Sequence, residues 1–311
     1  MPSPTSHAKH TTLLFGGSGF FGPIILERYP AIVSVGRSPL PQGLNNEHIT
    51  IKDMDDLPII DDIDFDTVIF LIGNSDHHRI NQSCIMGFDY NVLPLKKILH
   101  YLRGRRVKKF IAFTGALMYD ATRITLPVDE TQPLNPYIND YVFSKYIAEE
   151  VTKLYRAEIP IINVRLSNIY GPTPLIRPDL VPTLIQQTLS PGTPEIWSSK
   201  PARDFIYAKD AADAVVKLLD TDYTGPVNLG SGVMRSVGHV TRIIEKLSGK
   251  KIRVLDKPVT GPMQFVYDIS LVSRLTGWHP RYSLEEGLAE TYTAMAAYAD
   301  QCRWWEYPHS H

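Results

Sequence analysis

Short apolar and β-branched runs alternate with helical periodicity along the first half of the chain. Residues 90–102 and about 139–157 carry apolar side chains at the spacing of an amphipathic helix. Strands that alternate with helices pack as a parallel sheet with crossovers on both faces. The pattern therefore predicts an α/β fold built on a doubly wound parallel sheet. The predicted strands are residues 11–15, 31–35, 48–52, 67–72, 109–113 and 161–166.

The pattern becomes less regular after Gly171. Residues 210–219 have helical spacing, residues 227–230 form a short apolar run, and the tail from Val237 onward predicts two helices with loops. We expect residues 1–166, rejoined by residues 205–232, to form the sheet domain. Residues 167–204 and 233–311 are expected to form a smaller, mixed α/β lobe.

Composition and charge exclude several classes of protein. Hydrophobic residues make up 43% of the 311 and charged residues 21%, typical of a globular chain of roughly two domains. The 32 basic and 33 acidic residues leave a net charge of -1 without a basic stripe, so no nucleic-acid partner is expected. No apolar run reaches the ~20 residues of a membrane span. Residues 1–10 lack the apolar core of a signal peptide. The two cysteines, Cys84 and Cys302, are too few for a disulfide framework. Together these observations predict a cytoplasmic protein.

A glycine-rich turn follows directly after the first predicted strand. Gly16 suits a tight turn that needs positive φ, Gly19 lets the backbone approach a diphosphate, and Gly22 lets a helix lie against the strand. The exposed N–H groups and the helix dipole then face an anion. A flexible loop is the alternative, but the strand–turn–helix context favours a dinucleotide site in a Rossmann-type fold. The predicted site residues are Gly16, Gly19, Phe20, Phe21 and Gly22.

The end of the second strand bears on the choice of cofactor. An acid at this point would bind the ribose 2′-hydroxyl of NAD. Here Gly36 leaves space instead, and Arg37 with Ser38 is suited to a 2′-phosphate. We therefore expect NADP rather than NAD, with a plain surface arginine as the alternative.

Tyr141 and Lys145 stand four residues apart, on one face of the predicted helix 139–157. A nearby ammonium group favours the phenolate form of a tyrosine, which makes Tyr141 a usable acid–base. Lys145 is also placed to bind the nicotinamide ribose. Without the glycine turn, the pair would be interpreted as two residues on a solvated helix.

These motifs, in this order, resemble the extended short-chain dehydrogenase/reductase family, which includes nucleotide-sugar epimerases, dehydratases and reductases. The resemblance covers nearly the whole chain. Asp53-Met54 resembles the pair beside the adenine, and residues 71–73 resemble the strand end that lines the cofactor. The further cofactor contacts that the resemblance implies are Asp53, Met54, Leu71, Ile72, Gly73 and the helix asparagine Asn91.

The resemblance also implies roles on the substrate side. Tyr141 and Lys145 would be catalytic, Asn168 would lie near the substrate diphosphate, and Arg203 would bind a substrate phosphate. Arg165 is expected in a structural ion pair. His77 and His78 follow the fourth strand and are expected to be solvated loop residues, and no His, Cys or carboxylate spacing predicts a metal site. The segments that carry this part of the resemblance are 165–172, 203–207, 228–232, 268–270, 277–278 and 283–288.

One departure from the family concerns the catalytic strand. In the family, Ser or Thr stands four residues before a tyrosine that corresponds to Tyr119, which is expected to contact the substrate. This chain has Gly115 at the Ser or Thr position. Either Thr114 assists catalysis, which we favour, or the site is weakened. Ala116 and Leu117 replace the acidic pair of the 4,6-dehydratases, and no cysteine matches that of GDP-fucose synthase.

Another departure lies before Asp268, where Lys257 would replace the family's phosphate-binding arginine.

The prediction is an NAD(P)-dependent nucleotide-sugar epimerase or 4-keto reductase. A redox-sensing protein that binds the dinucleotide without turnover, and a reductase of non-nucleotide carbonyls, are the alternatives. The family resemblance also implies a homodimer, with a four-helix seam made by the Tyr141 helix and the helix 90–102. The sugar and the nucleotide are left open.

Overall fold

The computed structural model describes residues 11–173, 175–259, 261–299 and 303–304. The expectations about a signal peptide and about disulfides rest on residues 1–10 and Cys302, which lie outside the described residues. Within those ranges, the strands are β1 Thr11–Phe15, β2 Val33–Gly36, β3 His48–Thr50, β4 Phe65–Phe70, β5 Lys109–Gly115, β6 Ile161–Leu166, β7 Asn168–Tyr170, β8 Leu175–Ile176, β9 Glu195–Ile196, β10 Ala202–Tyr207, β11 Gly225–Leu229, β12 Met234–Ser236, β13 Arg253–Val254 and β14 Arg303–Trp304. The α-helices are α1 Gly22–Arg28, α2 His77–Ile80, α3 Leu93–Tyr101, α4 Asp140–Lys153, α5 Leu180–Leu189, α6 Ala208–Leu219, α7 Val237–Ser248, α8 Ser270–Thr276 and α9 Leu284–Ala297.

The predicted doubly wound sheet is confirmed. In the described chain, seven strands form one sheet in the order β11–β6–β5–β4–β1–β2–β3, and each neighbouring pair is parallel. Both faces are buried, which explains why the strands are continuous apolar runs rather than alternating ones. Along β1, Leu13 and Phe15 belong to the core on one face, whereas Leu14 belongs to the core on the other.

Helices cover the two faces separately. Helices α3 and α4 pack on one face through residues such as Ile98 and Val151, and α1 and α6 pack on the other through residues such as Ile25 and Val215. None of the helices in the described ranges is long and apolar enough to cross a bilayer.

Two predicted helices have different boundaries in the structure. Helix α4 starts at Asp140 because Asn139 is its N-cap, where the Asn139 side chain accepts a hydrogen bond from the Val142 N–H at 2.9 Å. The helix predicted over 90–102 consists of a π-helical segment, Phe88–Val92, that continues into α3. Pro94 lacks the N–H that an α-helical bond to residue 90 requires, which accounts for a wider turn just before it.

Among the described residues from Val237 onward there are three helices, α7, α8 and α9, rather than the two predicted. The additional one, α8, has seven residues and ends at Gly277 in the left-handed conformation, so it is too short to show a clear periodicity. Strand β10 pairs with β7 and β12 outside the main sheet, whereas β11 joins the main sheet beside β6. The predicted domain boundaries stay a prediction.

Candidate active site

A large cleft runs along the carboxyl ends of the main strands. Its walls include the segments that follow β1, β2, β4, β5 and β6, and residues of the C-terminal lobe face them. The cleft has a volume of about 2200 Å³. A pocket for one drug-sized ligand typically measures roughly 300–1,000 Å³, so this cleft has room for two ligands of nucleotide size.

The glycine turn has the backbone geometry that a dinucleotide needs. Gly16 has a φ of 91°, which lies in the left-handed region. A Cβ on Gly22 would lie 2.6 Å from the carbonyl oxygen of Gly16, so no side chain fits there. Gly19, Phe20 and Phe21 also line the cleft. The turn therefore fits a diphosphate that lies against bare backbone at the start of α1.

The expected adenosine contacts lie along the next part of the cleft. Gly36, Arg37 and Ser38 line it directly after β2, and both Arg37 and Ser38 are exposed. Asp53 and Met54 line it beyond β3. The structure thus brings the residues predicted for the ribose and the adenine to one end of the cleft.

Tyr141 and Lys145 face the middle of the cleft from the first two turns of α4. The Lys145 Nζ lies 6.0 Å from the centroid of the Tyr141 ring. Burial lowers the pKa of Lys145 from its ordinary value of 10.5 to about 8. A Cβ on Gly73 would lie 3.3 Å from the Lys145 Nζ, so Gly73 keeps the approach to the ammonium group open. Leu71 and Ile72 line the cleft just beyond the end of β4.

Asn91 lies behind the cleft wall, although it was predicted to contact the cofactor. Its Oδ1 accepts a hydrogen bond from the Asn74 N–H at 2.7 Å, and its Nδ2 donates to Ser144 Oγ at 3.0 Å. Ser144 Oγ in turn donates to the carbonyl of Tyr141 at 2.8 Å. Asn91 is 4% exposed. Its side chain therefore ties the segment after β4 to α4 instead of pointing into the cleft.

Gly115, not Thr114, is the strand residue that faces the tyrosine. A Cβ on Gly115 would lie 3.9 Å from the Tyr141 hydroxyl. Thr114 is buried, and its hydroxyl donates to Glu149 Oε2 at 3.3 Å. The geometry therefore does not favour the prediction that Thr114 assists catalysis, and it leaves the β5 wall beside Tyr141 without a hydroxyl at position 115.

Tyr119 lines the cleft, but its hydroxyl belongs to a buried network. It is 2% exposed, and its hydroxyl accepts a hydrogen bond from Arg165 Nη1 at 2.8 Å and donates to Asn228 Oδ1 at 2.7 Å. Burial raises the pKa of Tyr119 to about 12. Arg165 forms an ion pair with Glu149 at 2.6 Å, as the sequence predicted. The predicted substrate contact through the Tyr119 hydroxyl is thus not offered by this geometry.

The structure separates the predicted substrate contacts. Asn168 and Arg203 line the cleft on neighbouring parts of the small sheet, where the Asn168 Nδ2 donates to the carbonyl of Asp204 at 3.1 Å. Burial lowers the pKa of Arg203, an effect that a bound anion would oppose. Lys257 is exposed beside Trp197 and is absent from the cleft lining within the described chain, so the structure does not place it where the prediction required.

Asp204 has a structural role that the sequence pattern did not indicate. It is fully buried, and its carboxylate accepts hydrogen bonds from Ser231 N–H at 2.6 Å and Gly232 N–H at 3.1 Å. A Cβ on Gly230 would lie 2.3 Å from Asp204 Oδ2. The motif at 228–232 is therefore explained by a loop that wraps around one carboxylate beside Arg203.

Two further cleft residues were not predicted. His77, expected in a solvated loop, lines the cleft with its ring centroid 6.2 Å from that of Tyr141. The guanidinium of Arg177 lies 3.9 Å from the ring centroid of Phe20 in the glycine turn, and Arg177 pairs with Asp179 at 2.8 Å. The position of His77 after a strand was the available signal, because strand ends form the cleft in this fold.

A model of the NAD dependent epimerase/dehydratase family matches residues 12–230. The chain belongs to this family. A provisionally named UDP-glucose 4-epimerase of Methanocaldococcus jannaschii is 30% identical over 297 residues, which cover 89% of this chain and 95% of that protein. Members of the family are enzymes of the extended short-chain dehydrogenase/reductase type, so the predicted family and the prediction of an enzyme are confirmed.

Solved structures of epimerases share the fold of this family member. The UDP-N-acetylglucosamine 4-epimerase of Methanobrevibacter ruminantium, in complex with UDP-N-acetylmuramic acid, has a TM-score of 0.83 and 21% identity, covering 93% of this chain and 99% of its own. The UDP-glucuronic acid 4-epimerase of Bacillus cereus, in complex with UDP-glucuronic acid and NAD, has a TM-score of 0.80 and 23% identity, with the same coverage. At these identities the likeness establishes the fold.

Proposed function

We propose that the protein is an NAD(P)-dependent 4-epimerase of a nucleotide sugar. The observation that carries the proposal is the placement of Tyr141 and Lys145 together in a cleft that also contains the glycine turn and Arg203. The chain belongs to a family of nucleotide-sugar enzymes, and its Methanocaldococcus relative is provisionally named as a UDP-glucose 4-epimerase. Family membership also argues against a protein that binds the dinucleotide without turnover.

The chain's own residues fit both halves of the dinucleotide. The glycine turn would hold the diphosphate, the segment after β2 would hold the adenosine, and Lys145 would bind the ribose next to the nicotinamide. When bound, the nicotinamide supplies hydride exchange with the sugar carbon. Arg203 and Asn168 would orient the nucleotide part of the substrate from the opposite wall.

Tyr141 would move the proton in this reaction. Its phenolic oxygen accepts the proton of the sugar hydroxyl when the carbon is oxidised, and returns it when the carbon is reduced from the other face. A Lys145 pKa of about 8 keeps the ammonium group largely charged at neutral pH, and this positive charge favours the phenolate.

The segment after β5 favours epimerisation over dehydration. Water loss requires further groups that move protons, whereas Ala116 and Leu117 carry none, and both line the cleft. Epimerisation and simple ketone reduction need only one acid–base group beside the hydride carrier. A 4-keto reductase is therefore the remaining outcome that an experiment must separate from the epimerase.

Arg37 and Ser38 support the finer proposal that NADP is the preferred cofactor. Both are exposed at the point where the ribose of the adenosine would lie, and no acid follows β2 to bind a free 2′-hydroxyl. The Bacillus cereus epimerase contains NAD, so cofactor choice is a property to be measured for this chain.

Mass spectrometry of the cofactor released from freshly purified protein tests these proposals together. An epimerase keeps its dinucleotide through the catalytic cycle, so we expect a tightly held cofactor and conversion of UDP-glucose, UDP-glucuronic acid or UDP-N-acetylglucosamine to the C4 epimer without added reductant. Tyr141→Phe should lower turnover by roughly 10²–10⁴. The matched control is Tyr146→Phe on the same helix, since Tyr146 does not line the cleft.

Two results would contradict the proposal. Turnover that requires stoichiometric added reductant would identify a reductase. An unchanged rate in Tyr141→Phe would show that the proton route has been assigned to the wrong residue.

A further inference from the structure

His77 lies beside Tyr141 in the cleft. The imidazole follows β4 at the start of α2, and its ring centroid lies 6.2 Å from the centroid of the Tyr141 ring, with the ring planes at 59°. Both side chains line the cleft, and His77 is exposed to it. A substrate that reaches the Tyr141 hydroxyl would therefore pass close to the imidazole.

Hydrogen bonds from backbone N–H groups to side-chain oxygens hold α2 against the helix that carries Tyr141. Asn81 Oδ1 accepts a hydrogen bond from the Tyr141 N–H at 3.0 Å, in the first turn of α4. Asp76 caps α2 by accepting from the Arg79 N–H at 3.1 Å, and Asn74 Oδ1 accepts from the Asp76 N–H at 2.7 Å. These bonds fix the start of α2 relative to Tyr141, so His77 is not carried on a loose surface loop.

The β5 wall opposite offers little polar contact at this point. Gly115 has no side chain, its φ of −156° is ordinary extended backbone, and a Cβ there would lie 3.9 Å from the Tyr141 hydroxyl. The next two residues, Ala116 and Leu117, are apolar. Thr114 directs its hydroxyl to Glu149. A sugar bound between these walls thus meets a hydrogen-bonding side chain at His77 but not at positions 115–117.

We propose that His77 is a substrate-contacting residue that hydrogen-bonds a sugar hydroxyl beside the one on which Tyr141 acts, and so replaces the hydroxyl missing at Gly115. A neutral imidazole has one donor and one acceptor nitrogen, which matches a hydroxyl group that both donates and accepts. Sugars that carry a hydroxyl at this position would then be preferred over their deoxy analogues. The inference rests on the proposed epimerase function.

His78 is the matched control for His77. It is the next residue of α2 and is also exposed, but it is absent from the described cleft lining and its Nε2 lies 3.2 Å from Gln82 Nε2. Since both side chains are exposed, replacing either one should leave folding intact, and a melting curve of each variant checks this.

The first measurement compares the binding of UDP-glucose with that of UDP by calorimetry. His77→Val should weaken UDP-glucose binding by about tenfold, the usual worth of one hydrogen bond of about 1.4 kcal/mol, and should leave UDP binding unchanged because UDP lacks the sugar. His78→Val should change neither affinity. Equal losses for UDP and UDP-glucose would mean that His77 has a general structural role, and would overturn the proposal.

The second measurement uses Gly115→Ser to restore the missing hydroxyl. In the His77→Val background we expect this change to recover most of the lost kcat/KM for UDP-glucose, since a serine Cβ fits at ordinary contact distance from Tyr141. Failure of Gly115→Ser to improve His77→Val would overturn the proposed replacement. If His77→Val is silent while Tyr141→Phe loses turnover, this inference fails and the proposed function stands; if both are silent, the proposed function itself fails.

Discussion

The Lys145 side chain is surrounded by protein, and burial disfavours its charged ammonium form. Burial lowers its pKa to about 8 in the folded protein, from 10.5 ordinarily. Between pH 8 and 10.5 the unfolded chain binds more protons than the folded one, so this residue makes stability rise with pH in that window. Below pH 8 both states are protonated, and the folded state bears the full cost of desolvating the ammonium group.

Lys145→Met should therefore raise the melting temperature of the cofactor-free protein at pH 7 while it removes turnover and weakens cofactor binding. The gain in melting temperature should shrink as the pH is raised from 8 toward 10.5. Lys153→Met is the control, because Lys153 is an exposed residue of the same helix that pairs with Glu150. A lower melting temperature for Lys145→Met at pH 7 would contradict the assigned desolvation.

At the scale of single residues, the sequence predicted which residues lie close together along the chain better than it predicted the direction in which their side chains point. The Tyr141–Lys145 pair and the glycine turn follow from local chain geometry, so they could be found without a fold. Asn91 and Tyr119 were placed in the site because they occur at the right points of the chain, but their polar groups bond within the wall. Which way a side chain points depends on packing between elements, and for the same reason His77 was predicted to be a solvated loop residue rather than part of the cleft lining.

Helix α4 is joined to the sheet by a buried ion pair. Arg165 on β6 bonds Glu149 on α4 at 2.6 Å, and the side chains are only 5% and 6% exposed. Arg165 also donates to Tyr119 Oη and to the carbonyl of Glu130. Burial is the largest single influence on Arg165 and lowers its pKa, but the hydrogen bonds and charges of Glu149 and Tyr119 together raise the Arg165 pKa above its ordinary value. The pair thus fixes the helix that carries Tyr141 relative to β5 and β6.

Arg165→Met should destabilise the protein by roughly 3–5 kcal/mol, because it leaves the Glu149 carboxylate buried without its partner. Adding Glu149→Leu should recover part of that loss, since no uncompensated charge then remains. Urea unfolding of the two single variants and the double variant measures the coupling. Arg103→Met, which removes an exposed pair with Glu158, should have little effect. Additive losses in the double variant would show that the pair is not coupled.

At the scale of elements, prediction succeeded where periodicity was strong. Strands β1 and β6 have the predicted bounds, and α4 begins one residue after its predicted start at 139. Helix α8 was missed because seven residues give less than two full turns. The two-residue strands β8, β9, β13 and β14 have no local pattern at all, because each exists only through its partner.

At the scale of the molecule, the parallel sheet determines where the cleft lies. Parallel strands end at one edge, so segments distant in sequence, such as 36–38, 71–75 and 166–168, meet there. The alternation of strands with helices was enough to predict that edge, and the glycine turn after β1 predicts a dinucleotide site on it, which stays a prediction. The opposite wall, built from the C-terminal lobe, was less predictable because its small sheets and its core depend on contacts between remote segments.

We propose a homodimer as the assembled form, through α3 and α4. Exposed apolar side chains lie next to the ends of these helices: Phe88, in the π-helical segment before α3, is 41% exposed, Tyr137, before α4, is 84% exposed, and Leu154, the C-cap of α4, is 71% exposed. The Phe143 ring of α4 contacts both Phe88 and Tyr137. Large exposed apolar groups around neighbouring helices are typical of an interaction surface. Two such helices from each copy would form a four-helix arrangement.

Light scattering at micromolar concentration should give twice the chain mass for the wild type. The double variant Phe88→Glu with Leu154→Glu should give the mass of the monomer, because a buried unpaired carboxylate opposes association. The control is Ile59→Glu, which places the same charge at an apolar residue that is 55% exposed and lies in the segment between β3 and β4. Because Tyr141 and the dimer face share α4, the monomeric variant should also turn over more slowly. A monomeric wild type, or dissociation by Ile59→Glu alone, would contradict the proposed seam.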